Sequence, residues 1–249
     1  MQQYFSNKKE NNTLFLNNED LNHIKNVMRM KENDEIIVVY DSNSYICSLN
    51  SDLLSCEIKE LFKNSEEYPE FLVYVPLLSE EKMSFILKHG TELGVTRFIV
   101  VQYEHCKYKL KKSDFDKKLN RWNKILKEAS EQSYRTNKIE VESIINPKDI
   151  KSIENVNIMC SLDKTNVKNI CQVLTLDNCD DTISLVFGPE GGLSTNEENM
   201  LEQIGFIKTS LGSDVLRTES VPLMIASIVK YLREGKKNEK YWLSIRNFR

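Results

Sequence analysis

The sequence contains no long apolar run and no leader-like start. Its longest uninterrupted apolar segment, FLVYVPLL, covers only residues 71–78, far short of the roughly 20 residues that cross a bilayer. The opening stretch MQQYFSNKKENN is polar, which argues against a secretory signal. We therefore expect no membrane segment and a cytoplasmic location.

Clustered cysteines and histidines are also lacking. The six cysteines are scattered without a Cys-x-x-Cys pair, and the three histidines are far apart in the chain. This spacing excludes the usual zinc-binding patterns and a disulfide framework. We expect plain free thiols and no metal site.

The chain has no overall excess of positive charge, with a formal net charge of −3. The basic residues are nevertheless unevenly placed: residues 105–127 hold nine Lys or Arg against two carboxylates, and a second basic cluster, HIKNVMRMK, lies at 23–31. Phosphate contacts need local rather than global positive charge. The clusters are compatible with nucleic-acid binding, although each alone is equally compatible with a solvated surface.

The first 68 residues differ in pattern from the rest. Residues 34–62 alternate short β-branched and aromatic runs with Asp-Ser-Asn-Ser, which predicts strands joined by turns. The polar stretch 63–70 contains a proline and is the predicted linker. We therefore predict a small β-rich domain at 1–68 and a larger domain at 69–249.

The larger domain alternates strand and helix patterns. Strands are predicted at 71–78, 97–103, 138–144, 156–162, 182–187 and 206–211. Helices are predicted after Ser79, over 116–134, after Ser194 with a Ser194/Glu197 capping box, and after Thr218 with Gly235 as a candidate C-cap. This order is typical of an α/β domain with a mainly parallel sheet.

Glycine is scarce, and three of the eight glycines lie within five positions, in the segment GPEGG at 188–192. The segment follows a predicted strand, where parallel sheets bind ligands, but it matches neither a Walker A loop nor the dinucleotide fingerprint. Pro189 removes an N–H donor and Glu190 adds a negative charge, so a donor-rich or cationic ligand fits better than phosphate. A plain strand-to-helix turn that needs glycine for a positive φ remains the alternative.

A second strand–loop–helix unit follows at 209–232. Arg217 and Glu219 lie in its otherwise mostly apolar loop and helix start. The pair is a candidate for catalysis, and an ion pair at a helix N-terminus is the structural alternative.

Five segments, in chain order, resemble segments of one family: LNHIKNVMRMKENDEI at 21–36, EKMSFILKHGTELGVTRFIVVQYEHC at 81–106, RWNKILKEASEQSYR at 121–135, LVFGPEGGLSTNE at 185–197 and LGSDVLRTESVPLMIASIV at 211–229. The family is the RsmE family of 16S ribosomal RNA (uracil-N3)-methyltransferases in the SPOUT superfamily. The resemblance implies a SPOUT-type α/β domain with a C-terminal trefoil knot and an N-terminal PUA-like RNA-binding domain. It further implies S-adenosyl-L-methionine (SAM) as cofactor, the small ribosomal subunit as partner, and a homodimer.

The chemistry of this reaction suggests roles for individual residues. Our hypothesis is that Arg217 stabilises charge on the uracil or grips the target phosphate, and that Glu219 is the nearest candidate base. We expect RNA contacts at Lys25, Arg29, Gln132 and Arg135, for which a solvated surface is the alternative. The implied cofactor contacts are Leu162, Gly188, Glu190, Gly191, Leu211, Gly212, Val215, Leu216 and Thr218.

The chain departs from the family pattern at a few positions. Tyr134 stands where Gly is common, Ser213-Asp214 where Pro-Arg is common, and His89 where Lys is common. Two other functions remain open: a knotted RNA-binding or ribosome-assembly protein without methyl transfer, and a nucleotide-dependent enzyme on an ordinary doubly wound sheet. The absent phosphate fingerprints weigh against the latter.

Overall fold

The computed structural model describes residues 1–65, 69–152, 155–163 and 165–246, with side chains described as far as residue 237. The chain divides into two compact units, residues 1–68 with 127–138 and residues 69–126 with 139–249. The predicted linker at 63–70 includes residues 66–68, which lie outside the described residues.

The first unit is β-rich. Its strands are β1 Gln3–Phe5, β2 Lys8–Glu10, β3 Thr13–Phe15, β4 Glu35–Tyr40, β5 Asn43–Leu49 and β6 Ser55–Lys63. They form one sheet in the order β1-β4-β5-β6-β3-β2, in which β1 and β4 run parallel and the other neighbours antiparallel. A short helix α1, Asn18–Asn22, continues as a π-helical turn, His23–Val27. Tyr4, Leu14, Ile24, Ile36 and Leu49 are among the residues of its core.

The second unit contains a seven-stranded sheet. The strands are β7 Phe71–Pro76, β8 Arg97–Val101, β9 Val141–Ile145, β10 Val156–Cys160, β11 Lys168–Asn169, β12 Ile183–Phe187 and β13 Ile207–Ser210. Their order is β11-β13-β10-β12-β7-β8-β9, and all neighbouring pairs are parallel. The predicted parallel α/β domain is therefore confirmed. All residues of β7 and β12 are buried, as expected of strands that are covered on both faces.

Within the described part of the chain, five α-helices belong wholly or partly to this unit: α2 Glu80–Glu92, α3 Phe115–Gln132, α4 Ile170–Val173, α5 Thr195–Gln203 and α6 Ser220–Arg246. Residues 127–132 of α3 are part of the first unit. The Ser194/Glu197 capping box is present at α5, where the Ser194 N–H donates to Glu197 Oε2 at 2.8 Å. The prediction of Gly235 as a C-cap is wrong, because α6 continues through it to Arg246. None of the helices in the described residues combines the length and apolar character needed to span a bilayer. All six cysteines are free.

Candidate functional site

The candidate site is a cavity at the carboxyl ends of three neighbouring strands, β10, β12 and β13. Loops leave these strands after Cys160, Phe187 and Ser210 and surround a volume of about 510 Å³. This is the edge at which open parallel sheets bind ligands. The volume lies within the range of ordinary small-molecule sites.

The glycines after β12 let the backbone fold tightly on itself. A Cβ on Gly188 would lie 2.6 Å from the Gly192 carbonyl carbon, so this position accepts only glycine without movement of the loop. Gly192 has a φ of +74°, which is the left-handed conformation that glycine adopts without strain. The turn explanation therefore accounts for Gly192, whereas close backbone approach accounts for Gly188.

The loop after β13 is held by its own side chains. Gly212 has a φ of +135°, and Ser210 Oγ both donates to the Gly212 carbonyl oxygen at 3.0 Å and accepts from its N–H at 3.2 Å. The loop continues along the cavity through Thr218 to Val221 in the first turn of α6.

The loop after β10 is fixed by an ionic cluster. Lys208 Nζ lies 3.0 Å from Asp163 Oδ2 and 3.1 Å from Glu198 Oε2, and Ser161 Oγ donates to Glu198 Oε1 at 2.5 Å. The pKa of Asp163 is lowered to about 2, first by the Thr165 N–H and hydroxyl and then by Lys208. Asp163 is therefore an anion at the cavity wall at neutral pH.

Eight of the nine predicted cofactor contacts line this cavity. They are Leu162, Gly188, Glu190, Leu211, Gly212, Val215, Leu216 and Thr218. Gly191 is not among the lining residues; a Cβ there would instead lie 3.0 Å from the His105 Cβ. Sequence reasoning did not select several lining residues next to the predicted ones, although the strand ends pointed to them: Ser161, Asp163, Phe187, Pro189, Leu193, Ser210 and Asp214.

The two predicted catalytic residues do not line the cavity. Arg217 is exposed on the loop after β13. Glu219, at the start of α6, is bound by Lys82 from α2: Lys82 Nζ lies 3.1 Å from Glu219 Oε2 and 2.9 Å from Glu190 Oε1. Lys82, rather than Arg217, is thus the ion-pair partner of Glu219 among the described residues. Lys82 escaped sequence reasoning because it is 108 residues from Glu190 in the chain.

The Lys82 bridge shifts the titration of all three groups. Hydrogen bonds to Glu190 and then Glu219 raise the pKa of the Lys82 ammonium. Burial alone would raise the pKa of each carboxyl, but backbone N–H groups and Lys82 outweigh it, and both pKa values are lowered. Glu190 and Glu219 are therefore ionised at neutral pH.

His105 connects the segment after β8 to the glycine loop. Its Nδ1 lies 3.1 Å from the Gly191 carbonyl oxygen and 3.2 Å from that of Gly192. Carbonyl oxygens only accept, so Nδ1 carries the hydrogen and donates. A Cβ at Gly191 would lie 3.0 Å from the His105 Cβ, so a larger residue there would require His105 to shift by a small amount, although the φ of Gly191 is not positive.

Three of the four predicted RNA contacts are exposed, all in the first unit: Lys25, Arg29 and Gln132. Arg135 is only 4% exposed, and its Nε donates to Asn137 Oδ1 at 3.2 Å. A side chain below the surface cannot bind RNA where it stands, so Arg135 is withdrawn from the RNA contacts.

Two of the departures from the family pattern have a structural correlate. Tyr134 has a φ of +54°, the conformation that favours glycine, and its hydroxyl donates to the Met1 carbonyl oxygen at 2.7 Å. Asp214 lies at the cavity wall. His89 is outside the cavity, with Nδ1 2.9 Å from Glu92 Oε2 and its ring against Phe85.

Comparison with known proteins identifies the family of the chain. Residues 66–230 match the family model of an RNA methyltransferase domain, and residues 16–60 match that of an RNA methyltransferase PUA domain. The ribosomal RNA small subunit methyltransferase E of Bacillus subtilis is 33% identical, with 94% of this chain and 98% of the relative covered. The chain belongs to the ribosomal RNA small subunit methyltransferase E family.

Other members of the family extend the comparison. The enzyme of Mesomycoplasma hyopneumoniae is 31% identical, with 90% of this chain and 97% of the relative covered. The crystal structure of the Neisseria gonorrhoeae methyltransferase E bound to SAM has a TM-score of 0.80 and 26% identity, and covers 93% of this chain and 98% of that chain. The resemblance based on five short segments is thus confirmed over nearly the whole chain.

Proposed function

We propose that this protein transfers a methyl group from SAM to N3 of a uridine in the 16S ribosomal RNA of the small ribosomal subunit. The cavity carries the proposal, because two of its three loops belong to the segments that resemble the family, 185–197 and 211–229. The names of the relatives and the SAM-bound Neisseria structure support the same reaction class and donor.

The chemistry of the cavity wall fits SAM. Leu162 and Val215 are 60% and 74% exposed and offer apolar faces for an adenine ring, while the glycine-rich loops offer backbone N–H and C=O groups for its polar edge. Asp163, Glu190 and Asp214 line the cavity, and the described lining residues include no Lys or Arg. Lys208 pairs with Asp163 and Lys82 pairs with Glu190, so Asp214 is the lining carboxylate that has no ion-pair partner among the described residues. A carboxylate in this position suits a ligand that carries a sulfonium and an ammonium better than a nucleotide phosphate.

In this proposal the cofactor is held by the eight predicted residues that line the cavity, while Gly191 supports the loop against His105. Bound there, SAM would supply an electrophilic methyl group on a positively charged sulfur. Holding the uracil and the donor side by side contributes much of the rate enhancement, because it replaces a bimolecular encounter with a positioned one.

The uracil N3 must give up its proton, which passes to solvent water in this proposal, before it can accept a methyl group, and the resulting negative charge spreads to O2 and O4. Arg217 is exposed beside the cavity loop and is the residue we assign to stabilise that charge or to grip the adjacent phosphate. Glu219 was the candidate base, but a carboxylate with a lowered pKa is a weak proton acceptor. We therefore propose that Glu219 holds the loop after β13 in place through its ion pair with Lys82.

The remaining family features are also proposals for this chain. Lys25, Arg29 and Gln132 are proposed to contact RNA from the β-rich unit. A C-terminal trefoil knot and a homodimer are proposed from the family resemblance. Exposed apolar side chains on α6, namely Met224 and Tyr231, support a surface that a second copy would cover.

Thermal unfolding with a ligand panel tests the proposed site. SAM and S-adenosylhomocysteine should stabilise the protein, by about 2.7 kcal/mol at 100 times Kd, whereas NAD and ATP should not. Labelled SAM should then transfer its methyl group to unmethylated small subunits or 16S RNA. Stabilisation without any transfer would favour the RNA-binding alternative, and stabilisation by NAD or ATP alone would overturn the proposed donor.

A further inference from the structure

Four exposed lysines lie on one loop that the proposed function leaves unused. The segment 102–112, here called the lysine loop, follows β8 and presents Lys107, Lys109, Lys111 and Lys112 to solvent. None of the four has an ion-pair partner among the described residues, whereas Lys118 and Arg121, further along, both pair with Glu80. The loop therefore carries a concentrated positive charge that no carboxylate among the described residues pairs with at ion-pair distance.

The lysine loop is held in place at its ends and at its centre. The Leu110 N–H donates to Gln102 Oε1 at 2.8 Å, which closes the loop. Cys106 is buried, and its N–H donates to the Tyr103 carbonyl oxygen at 3.2 Å. Because these contacts fix the backbone, the lysines are displayed with a smaller ordering cost than on a free tail.

The lysine loop also adjoins the cavity. His105 donates from Nδ1 to the carbonyl oxygens of Gly191 and Gly192, 3.1 and 3.2 Å away. Lys107 lies close enough to Glu190 to help lower the pKa of that carboxyl. A chain bound along the loop would thus pass beside the residues assigned to hold the methyl donor.

We propose that the lysine loop binds the backbone phosphates of RNA next to the target uridine, with Tyr108 as a stacking surface for an unpaired base. This inference rests on the proposed function and names a surface for its substrate. Lysines supply the phosphate contacts that set register and orientation. The Tyr108 side chain is 49% exposed between two of them, and basic residues interleaved with an exposed aromatic ring are typical of single-stranded RNA sites.

A matched pair of triple variants tests the proposal. Lys107→Gln/Lys109→Gln/Lys111→Gln removes three charges from the lysine loop, and Lys59→Gln/Lys148→Gln/Lys151→Gln removes three from exposed positions elsewhere. RNA affinity is measured by fluorescence anisotropy with a single-stranded 16S fragment at several salt concentrations, and SAM affinity by calorimetry. The loop variant should bind RNA at least tenfold more weakly, with a salt slope smaller by about 0.7 for each phosphate that the variant no longer neutralises. SAM affinity should stay within about twofold, and Tyr108→Ala should weaken RNA binding further.

The outcomes separate this proposal from the proposed function. If the wild type methylates RNA and the two triple variants share its RNA affinity and salt slope, the lysine loop is not the RNA surface. If the loop variant loses RNA affinity and salt dependence while even the wild type transfers no methyl group, the RNA surface stands and the proposed reaction falls. A loop variant that loses SAM binding to the same extent as RNA binding would also overturn the proposal, because the lysines would then support the cavity instead.

Discussion

At the scale of single residues, the site depends on how little side chain the glycine loop carries. Gly192 is a glycine because its φ is left-handed, and Gly188 because the backbone of Gly192 lies too close for a Cβ. The sequence alone could not show which of these two reasons applies to which glycine. The cluster GPEGG predicted that the backbone mattered, but contact distances decide which glycine can change.

Gly188→Ala tests the close approach directly. The new Cβ would lie 2.6 Å from Gly192, so the loop must move, at a cost of about 1–3 kcal/mol of unfolding free energy, and SAM affinity should fall at least tenfold. Gly235→Ala is the control, because a Cβ there meets nothing within 4 Å and an alanine inside α6 should stabilise by about 0.5–1 kcal/mol. Chemical denaturation and calorimetry measure both. Equal SAM affinity in the two variants would contradict the steric explanation.

Arg217→Ala tests the assigned charge stabilisation. Loss of one positioned donor typically lowers kcat by about 10²–10³-fold, and because Arg217 does not line the cavity, SAM affinity should change by less than about threefold. Single-turnover methyl transfer and calorimetry separate these effects. Arg217→Lys keeps the charge without the planar guanidinium, so its kcat should lie between that of the wild type and that of Arg217→Ala. An Arg217→Ala enzyme with the activity of the wild type would remove Arg217 from the reaction.

Lys82→Met tests the bridge between the two loops. Loss of the two Lys82 ion pairs should lower the free energy of unfolding by about 1 kcal/mol or less at pH 7, since the three side chains are 16–28% exposed. The carboxyl pKa values are lowered in the folded protein, so the stabilisation is present at neutral pH and is lost as the pH falls below about 4. Lys88 is exposed on the same helix, and Lys88→Met is the control. Lys82→Arg keeps the positive charge and should have the unfolding free energy of the wild type. A gap between wild type and Lys82→Met that does not begin to shrink as the pH falls below about 4 would rule out the ionic explanation.

At the scale of elements, alternation of strand and helix patterns was sufficient to predict six strands of the parallel sheet. It missed β11, which has two residues, because periodicity cannot define so short a strand. It also stopped α6 at Gly235, where one glycine inside a long helix was mistaken for a cap. The cavity residues were predictable because they follow the carboxyl ends of neighbouring parallel strands. The loops after β10, β12 and β13 meet at one edge of the sheet, whichever side chains they carry.

The end of α3 carries a buried ionic cluster that no pattern revealed. Lys127 Nζ lies 2.6 Å from Asp20 Oδ1 and 2.8 Å from Glu131 Oε1, and the two carboxylate side chains are 3% and 8% exposed. Burial raises the pKa of Glu131 to about 7, against the opposing effect of Lys127. A cluster of this kind stabilises only while its cation is present, because each carboxylate would otherwise be buried without compensation.

Lys127→Met should therefore destabilise the protein by about 3–5 kcal/mol near pH 8. The destabilisation should be smaller at pH 6 than at pH 8, because Glu131, whose pKa is about 7 with Lys127 present, loses a cation that lowers this pKa and therefore binds a proton at a higher pH in the variant. Lys124→Met, at an exposed position of the same helix, should change the unfolding free energy by less than about 0.5 kcal/mol. Urea denaturation followed by circular dichroism at pH 6 and pH 8 provides the measurement, and an equal destabilisation in the two variants would contradict the account.

At the scale of the whole molecule, short sequence segments predicted the function of the protein better than its overall composition did. A net charge of −3 gives no sign of an RNA partner, since the charge that matters is concentrated in local clusters. Contacts between distant segments were beyond the sequence: Lys82 with Glu219, His105 with the glycine loop, and the burial of Arg135. Such contacts depend on chain topology, which residue periodicity does not encode.

Identification of the product nucleoside tests the central claim most directly. The purified protein, labelled SAM and unmethylated small ribosomal subunits or bare 16S RNA are incubated, and the RNA is digested for mass spectrometry. The account predicts N3-methyluridine at one site, together with S-adenosylhomocysteine in equal amount. A methyl group on any other atom, or no transfer from a protein that binds SAM, would contradict it.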